Sequence, residues 1–156
     1  MQKITPFLWF DNNAEEAVTF YTSVFKNSSI VVTTYYGEGA PLPKGTVMTI
    51  QFKLEGQDFI ALNGGPIFSF TPAISLFVSC ENQQEVDHLW KKLTDGGEAL
   101  QCAWLKDKYG ISWQIVPTIL GTLLQDKDQV KANKMLQAML GMTKINIDLL
   151  KEAYNS

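Results

Sequence analysis

Few side chains in this sequence are placed to act as an acid, a base or a nucleophile. Asp11, Glu15 and Glu16 stand where a helix is expected to begin, and helix capping together with the helix dipole explains them. Cys102 could attack a substrate only as a thiolate stabilised by a neighbouring cation, and the sequence predicts no histidine or lysine beside it. A reaction carried out by these groups is therefore weakly indicated.

The remaining candidates are also explained by local structure. Asp107 lies in the predicted turn before the last strand; it could reach the mouth of a pocket, but turn formation accounts for it. His88 is the single histidine, and its place on a predicted helix favours the polar surface over a metal-ligand role. Cys80 and Cys102 are not spaced as a metal or redox pair and are predicted to be buried free thiols.

A binding pocket is a better prediction than a catalytic group. Aromatic and small polar side chains alternate along several predicted strands, so they would share one face of each strand. This face carries no carboxylate and suits a small, partly apolar or planar organic molecule. The alternative, that the aromatic residues only fill a core, stays open. The predicted lining is Thr5, Phe7, Trp9, Asn63, Ser75, Phe77, Cys102, Trp104, Ser112 and Gln114.

The alternation assigns the two faces of the strand that ends the first half of the chain. Phe59 and Ala61 are predicted to share the pocket face with Asn63, whereas Ile60 and Leu62 would pack against a helix. The amide of Asn63 would then help to orient a ligand, together with the side chains of Ser112 and Gln114. A slip of one residue in the register would exchange the two faces.

Two stretches with the same order of elements must position these residues. Apolar residues over 4–10 predict a strand, and helical spacing over 14–25 predicts an amphipathic helix capped by Asn12 or Asn13. The same order recurs as a strand over 74–80 and a helix after Asn82 that ends before Gly96. The sequence therefore predicts two copies of one module.

Further strands follow each helix. In the first module they are predicted over 29–36, 45–54 and 58–63, and a tight turn at 55–58 makes the last two antiparallel neighbours. In the second module they are predicted over 98–105 and 111–117, with a weaker or missing third strand. From about Asp126 the pattern is helical and rich in methionine, and this tail packs on the body or, slightly favoured, on a partner subunit.

Composition limits the class of protein. The 156 residues carry a net charge of −3 and no run of Lys or Arg, so nucleic acid and anionic membranes are not expected partners. No apolar stretch approaches the length of a membrane span, and the start of the chain does not resemble a signal peptide. We therefore expect a cytoplasmic protein with one compact body.

Three motifs carry a resemblance to a known family. ITPFLWFDNNAEEAVTFYTSVF, FIALNGGPIFSF and WLKDKYGISWQIVP resemble the PhnB-like branch of the vicinal oxygen chelate superfamily, which includes glyoxalase I, bleomycin-resistance proteins and extradiol dioxygenases. The resemblance implies an α+β fold in which paired βαβββ modules form a cup-shaped mixed sheet, commonly in a homodimer. We expect a domain over 1–125, with modules at about 1–65 and 72–120, and a helical extension over 126–156.

Members of this branch often carry the description demethylubiquinone methyltransferase, to which the sequence gives little support. A typical methyltransferase domain has a parallel sheet and a glycine-rich turn after its first strand, where the cofactor binds. Here the first strand runs into Asp11, Asn12 and Asn13. We therefore expect a small-molecule-binding protein instead.

The resemblance also implies positions for a divalent metal, on the first and last strands of each module. They fall near Thr5, near Ala61 or Asn63, near Ile74 or Ser75, and at Gln114. Only Gln114 is an accepted type of ligand, and one amide does not make a metal site. The first hypothesis is therefore a binding protein without a cofactor. The alternative is a metal-dependent isomerase, lyase or dioxygenase that uses Gln114 and other ligands.

Overall fold

The computed structural model describes residues 2–156, which form eight strands and five helices. The chain divides into unit one, which ends at Phe70, and unit two, Thr71–Ser156. The strands are β1 Phe7–Phe10, β2 Ser29–Tyr35, β3 Val47–Leu54, β4 Gln57–Asn63, β5 Ser75–Cys80, β6 Glu98–Ala99, β7 Trp104–Lys106 and β8 Ser112–Pro117. The helices are α1 Ala14–Val24, α2 Gln83–Thr94, α3 Thr118–Leu124, α4 Gln129–Leu140 and α5 Ile147–Asn155.

Unit one is a four-stranded sheet covered on one face by α1. The strand order is β1-β4-β3-β2, with β1 parallel to β4 and the other pairs antiparallel. The predicted tight turn joins β3 to β4: Glu55 and Gly56 both have positive φ, as a two-residue hairpin of type I′ requires. Asn13 is the residue that precedes α1, but its side chain makes no capping hydrogen bond.

The sheet of unit two repeats this topology. Its order is β5-β8-β7-β6, with β5 parallel to β8 and two antiparallel pairs after it. The predicted cap of α2 is confirmed, because Asn82 Oδ1 accepts a hydrogen bond from Glu85 N at 2.9 Å. Each module is thus a strand, a helix and three strands. The predicted α+β class and the internal repeat are confirmed.

The strand predicted over 98–105 is interrupted. Cys102 and Ala103 adopt φ values of 59° and 74°, and this left-handed conformation cannot continue a strand. The third strand of the module exists as the two-residue β6, so it is short and not missing. The interruption is fixed by hydrogen bonds from Cys102 N to Met142 O at 2.8 Å and from Ala103 N to Thr143 O at 2.9 Å.

The C-terminal helices pack within unit two. Met135, Ile145 and Leu150 are fully buried in one apolar cluster, which they form with Ala103, Val116 and Leu120. The apolar stripe of the tail therefore covers part of its own chain. We slightly favoured a partner subunit as the surface on which this stripe packs, and that expectation was wrong. Met135, Ile145 and Leu150 are already removed from water by packing against β8 and α3.

Candidate functional site

Strand register decides which side chains of unit one lie on the face without a helix. Phe7 lies opposite Ile60 and Trp9 opposite Leu62, while Gln51 of β3 lies on the other side of Ile60. We call this surface the first open face. It comprises Phe7, Trp9, Thr49, Gln51, Lys53, Asp58, Ile60 and Leu62.

The face predicted for β4 was wrong. Phe59, Ala61 and Asn63 are only 7%, 0% and 3% exposed, because they lie on the side covered by α1. Asn63 Oδ1 accepts a hydrogen bond from Ala14 N at 2.9 Å, and Asn63 Nδ2 donates one to Val47 O at 3.1 Å. The amide oxygen of Asn63 thus accepts from a free N–H group in the first turn of α1, the role predicted for Asn12 or Asn13. Alternation alone therefore assigned Ile60 to the covered side. The expectation of a pocket face without a carboxylate was also wrong, because Asp58 shares the open face with Ile60.

A cavity of about 290 Å³ lies on the first open face, beside the β3–β4 hairpin. It combines a hydroxyl, an amide, an ion pair between Lys53 Nζ and Asp58 Oδ1, and branched apolar side chains. Among the predicted pocket residues, Thr5 is the one that contributes to this cavity. The full lining is Thr5, Val31, Gln51, Phe52, Lys53, Asp58, Phe59 and Ile60.

Trp9 is held by the segment that follows β4. Its Nε1 donates to Gly65 O at 2.9 Å, and its ring meets Phe68 edge-on at 5.0 Å between centroids. Gly64 lies so close that a Cβ atom would stand 2.3 Å from Trp9 Cε2. The segment that follows β4 therefore packs directly on an aromatic residue of the open face.

Replacing Gly64 with alanine is expected to displace the Trp9 ring. The added methyl group overlaps the indole, so the hydrogen bond to Gly65 and the contact with Phe68 are lost, at a cost of about 1 to 3 kcal/mol in the free energy of unfolding. The indole N–H resonance of Trp9 should shift strongly in an NMR spectrum. Gly37→Ala is the control, because nothing lies within 4 Å of the added methyl group. An unshifted indole resonance in Gly64→Ala would contradict this packing.

In unit two, strand pairing places five of the predicted residues on one face, although Ser112 is only 3% exposed. Ser75 lies opposite Ser112, and Gln114 has Phe77 on one side and Trp104 on the other. We call this surface the second open face. Gln114 Nε2 donates to Ser75 Oγ at 2.9 Å, and Phe77 is 59% exposed. The opposite side of the sheet, which includes the buried residues Leu105, Trp113 and Ile115, faces α2.

The cysteines and the histidine lie away from both faces. Cys102 is in the turn before β7, where its Sγ lies 3.9 Å from Leu140 O. Cys80 is completely buried, and this burial, with a smaller contribution from Glu85, raises the pKa of its thiol to about 12. Both cysteines are free, and His88 is exposed on α2. The Cys80 thiol therefore stays protonated and unreactive at neutral pH.

Comparison with known proteins decides the family. Residues 2–116 match the family described as 3-demethylubiquinone-9 3-methyltransferase. The PhnB protein from Bacillus cereus is 43% identical and superposes with a TM-score of 0.69, over 75% of this chain and 100% of that chain. The chain belongs to the PhnB-like family. No curated protein matches this PhnB-like chain.

More distant structures share the fold alone. Protein PA1353 from Pseudomonas aeruginosa is 18% identical with a TM-score of 0.62, over 75% of the PhnB-like chain and 98% of its own. The fosfomycin resistance protein FosX from Listeria monocytogenes is 16% identical with a TM-score of 0.58, over 80% and 98%. The fold is that of the vicinal oxygen chelate superfamily, as the motifs implied.

The metal positions implied by the resemblance hold a poor set of ligands in this PhnB-like chain. Ala61 is buried without a donor atom, the amide of Asn63 is occupied at α1, and Ser75 is bonded to Gln114. Nowhere in residues 2–156 do three or more His, Cys, Asp or Glu side chains come together as possible metal ligands. The residues at these positions therefore do not fit the oxygen or imidazole ligands that a divalent cation takes.

A membrane-spanning helix would need a long apolar segment. Across the described part of the chain, no helix has the length and apolar character to cross a bilayer.

Proposed function

We propose that this chain is a small-molecule-binding protein whose ligand is a partly apolar or planar organic compound. The observation that carries the proposal is the composition of the first open face. There Phe7, Trp9 and Ile60 lie beside the polar side chain of Gln51, and the face contains a cavity of about 290 Å³ that Thr5 also lines. Apolar and aromatic side chains beside a few convergent polar groups are typical of ligand sites.

The second open face supports the same proposal. Phe77 is a large apolar side chain that stays mostly exposed, beside the hydrogen-bonded pair of Ser75 and Gln114. Exposed aromatic groups next to oriented polar groups often mark binding surfaces. For Ser75, Phe77, Trp104, Ser112 and Gln114, contact with a ligand therefore remains our proposal.

We do not propose methyl transfer, the reaction in the family's description. β1 passes through Asp11, Asn12 and Asn13 into α1, so no glycine-rich turn faces the start of that helix. Both sheets are mixed, whereas the cofactor-binding domain of a typical methyltransferase is built on a parallel sheet.

Substituting either half-buried tryptophan of the open faces is expected to weaken binding of a planar organic dye. We expect Trp9→Ala and Trp104→Ala each to lower the affinity for 1-anilinonaphthalene-8-sulfonate by about 5- to 10-fold, since one aromatic contact is lost in each. Fluorescence titration measures this change. Trp90→Ala is the matched control, because Trp90 lies on α2. Unchanged affinity in both open-face variants would remove the basis of the proposal.

A native mass spectrum with and without chelator separates this proposal from the metal-dependent alternative. A co-purified organic adduct without metal favours a binding protein. A divalent ion that is present in stoichiometric amount, and is lost on chelation or in Gln114→Ala, favours the enzyme. The same spectrum gives the mass of the assembly, which tests the homodimer that we also propose. A cytoplasmic location remains part of the proposal as well.

A further inference from the structure

The ion pair in the cavity of unit one indicates a class of ligand. We propose that this cavity binds a zwitterionic head group, with a carboxylate and an ammonium on neighbouring atoms as in a free α-amino acid. The carboxylate would contact Lys53 and the ammonium Asp58, and the apolar body would lie along Ile60. This inference rests on the proposed binding function and specifies its ligand.

Both charged groups keep hydrogen-bonding capacity beside the cavity. Lys53 and Asp58 are direct cross-strand partners of β3 and β4, and their side chains are 42% and 38% exposed. An ammonium has three donors and a carboxylate two acceptor oxygens. Among residues 2–156, the structure records the other member of the pair as the only partner of each charged group. Two donors of Lys53 and one oxygen of Asp58 remain for a ligand.

The backbone at Asp58 is fixed by a separate side chain. Gln2 Nε2 donates to Asp58 O at 3.0 Å, and Asp58 N donates to Gln2 Oε1 at 3.0 Å. The amide of Gln2 thus continues the pairing of the sheet beyond the start of β1. These two bonds satisfy the backbone N–H and C=O groups of Asp58 and hold the main chain in place. The carboxylate of Asp58 is therefore not needed for local structure.

Charge balance selects a zwitterion over a simple ion. The pair has no net charge. An anion attracted by Lys53 is also repelled by Asp58, and a cation attracted by Asp58 is repelled by Lys53. A ligand with one charge must also separate the pair and leave one partner uncompensated. A zwitterion can exchange partners with both groups, so every charge keeps an opposite neighbour. The arrangement therefore favours ligands that carry both charges.

The apolar part of the cavity gives the direction of the rest of the ligand. Val31 and Ile60 line the cavity, and Ile60 is the strand neighbour of Phe7 on the same open face. Asp58 and Ile60 are two residues apart on β4, a spacing of about 6.8 Å along a strand. An apolar group attached close to the zwitterion would therefore reach Ile60 and Phe7. L-phenylalanine has this form and serves as the probe.

Three ligands that share a phenylethyl group test the charge requirement. The full chain labelled with ¹⁵N is titrated with L-phenylalanine, 3-phenylpropionate and 2-phenylethylamine, and amide shifts are followed by NMR. We expect phenylalanine to shift the amides of Gln51, Lys53 and Asp58, with an affinity at least about 10-fold higher than that of either analogue. Equal affinity for the three ligands, or no phenylalanine binding at millimolar concentration, would overturn the proposal.

Variants of the pair provide the second test. Lys53→Met and Asp58→Asn should each weaken phenylalanine binding by about 10-fold, because one charge of the ligand loses its partner. The exchanged pair K53D/D58K keeps both charges and should restore most of the affinity. Lys44→Met is the control, since it removes the exposed ion pair of Lys44 with Glu38 in the same unit. Full affinity in both single variants would contradict the assignment.

The two proposals can fail separately. If Trp9→Ala weakens dye binding but phenylalanine leaves the amides of Lys53 and Asp58 unshifted, the zwitterion assignment fails and the binding function stands. If the dye affinity is insensitive to both tryptophan substitutions, the proposed function itself fails. Phenylalanine shifts confined to α1 or to unit two would also count against this cavity.

Discussion

Replacing Asp107 with alanine is expected to destabilise unit two by about 3 to 5 kcal/mol, the largest effect that we predict for a single substitution. Asp107 is 3% exposed, and its carboxylate accepts three hydrogen bonds. Oδ1 receives Tyr109 N at 2.8 Å and Ile111 N at 3.1 Å, while Oδ2 receives Trp113 Nε1 at 2.8 Å. The alanine variant leaves three donors without this acceptor inside the β7–β8 turn.

Asparagine at the same position separates the three bonds. Asp107→Asn keeps an oxygen that can accept from the two backbone amides, but its NH₂ group then faces Trp113 Nε1, which is also a donor. We therefore expect the free energy of unfolding to fall by about 1 to 3 kcal/mol. In a Trp113→Phe background that donor is gone, and the additional cost of Asp107→Asn should largely disappear. Urea unfolding of the four proteins in this cycle measures the coupling. Equal costs in both backgrounds would mean that the bond to Trp113 contributes little.

Gly97→Ala is expected to lower the free energy of unfolding by about 3 kcal/mol. The added methyl group would overlap backbone atoms, which cannot rotate away as a side chain can. A Cβ atom at this position would stand 2.2 Å from Lys106 O and 2.9 Å from Asp107 Cα. Lys106 pairs with Glu98 at the start of β6, so the overlap is relieved only by moving β6 away from β7. Hydrogen exchange should then quicken in β6 and β7 before other parts of unit two.

A second glycine provides the control for this substitution. Gly121 lies inside α3, and a methyl group added there meets nothing within 4 Å. Gly121→Ala should therefore raise the free energy of unfolding by about 0.5 to 1 kcal/mol, the usual gain from alanine within a helix. If Gly97→Ala were as stable as Gly121→Ala, the close approach of β6 to Lys106 would be incorrect.

Asp107 illustrates how a sequence can give the right role for a residue without its details. Its place between two apolar strands predicted a turn residue, and the turn is confirmed. The bond to Trp113 was not predicted, because it depends on which side of β8 the indole occupies. The Lys53–Asp58 pair was missed although the two-residue hairpin at Glu55 and Gly56 places these positions opposite each other.

The sequence by itself determined what depends on neighbours along the chain. The repeated order of strand and helix, the Asn82 cap and the hairpin turn follow from periodicity and from the backbone preferences of a few residues, so they could be predicted. The motifs also indicated the family. These features need no information about the distant partner of each strand.

Only the tertiary structure decided which face of β4 is covered. Alternation divides β4 into two sets of side chains, but pairing with β1 and the position of α1 determine which set is buried. The side chain of Asn63 is buried against the start of α1, and Ile60 lies on the open face. The same is true of the C-terminal helices. Their apolar stripe could pack against any apolar surface, and only the fold showed that it packs within its own unit.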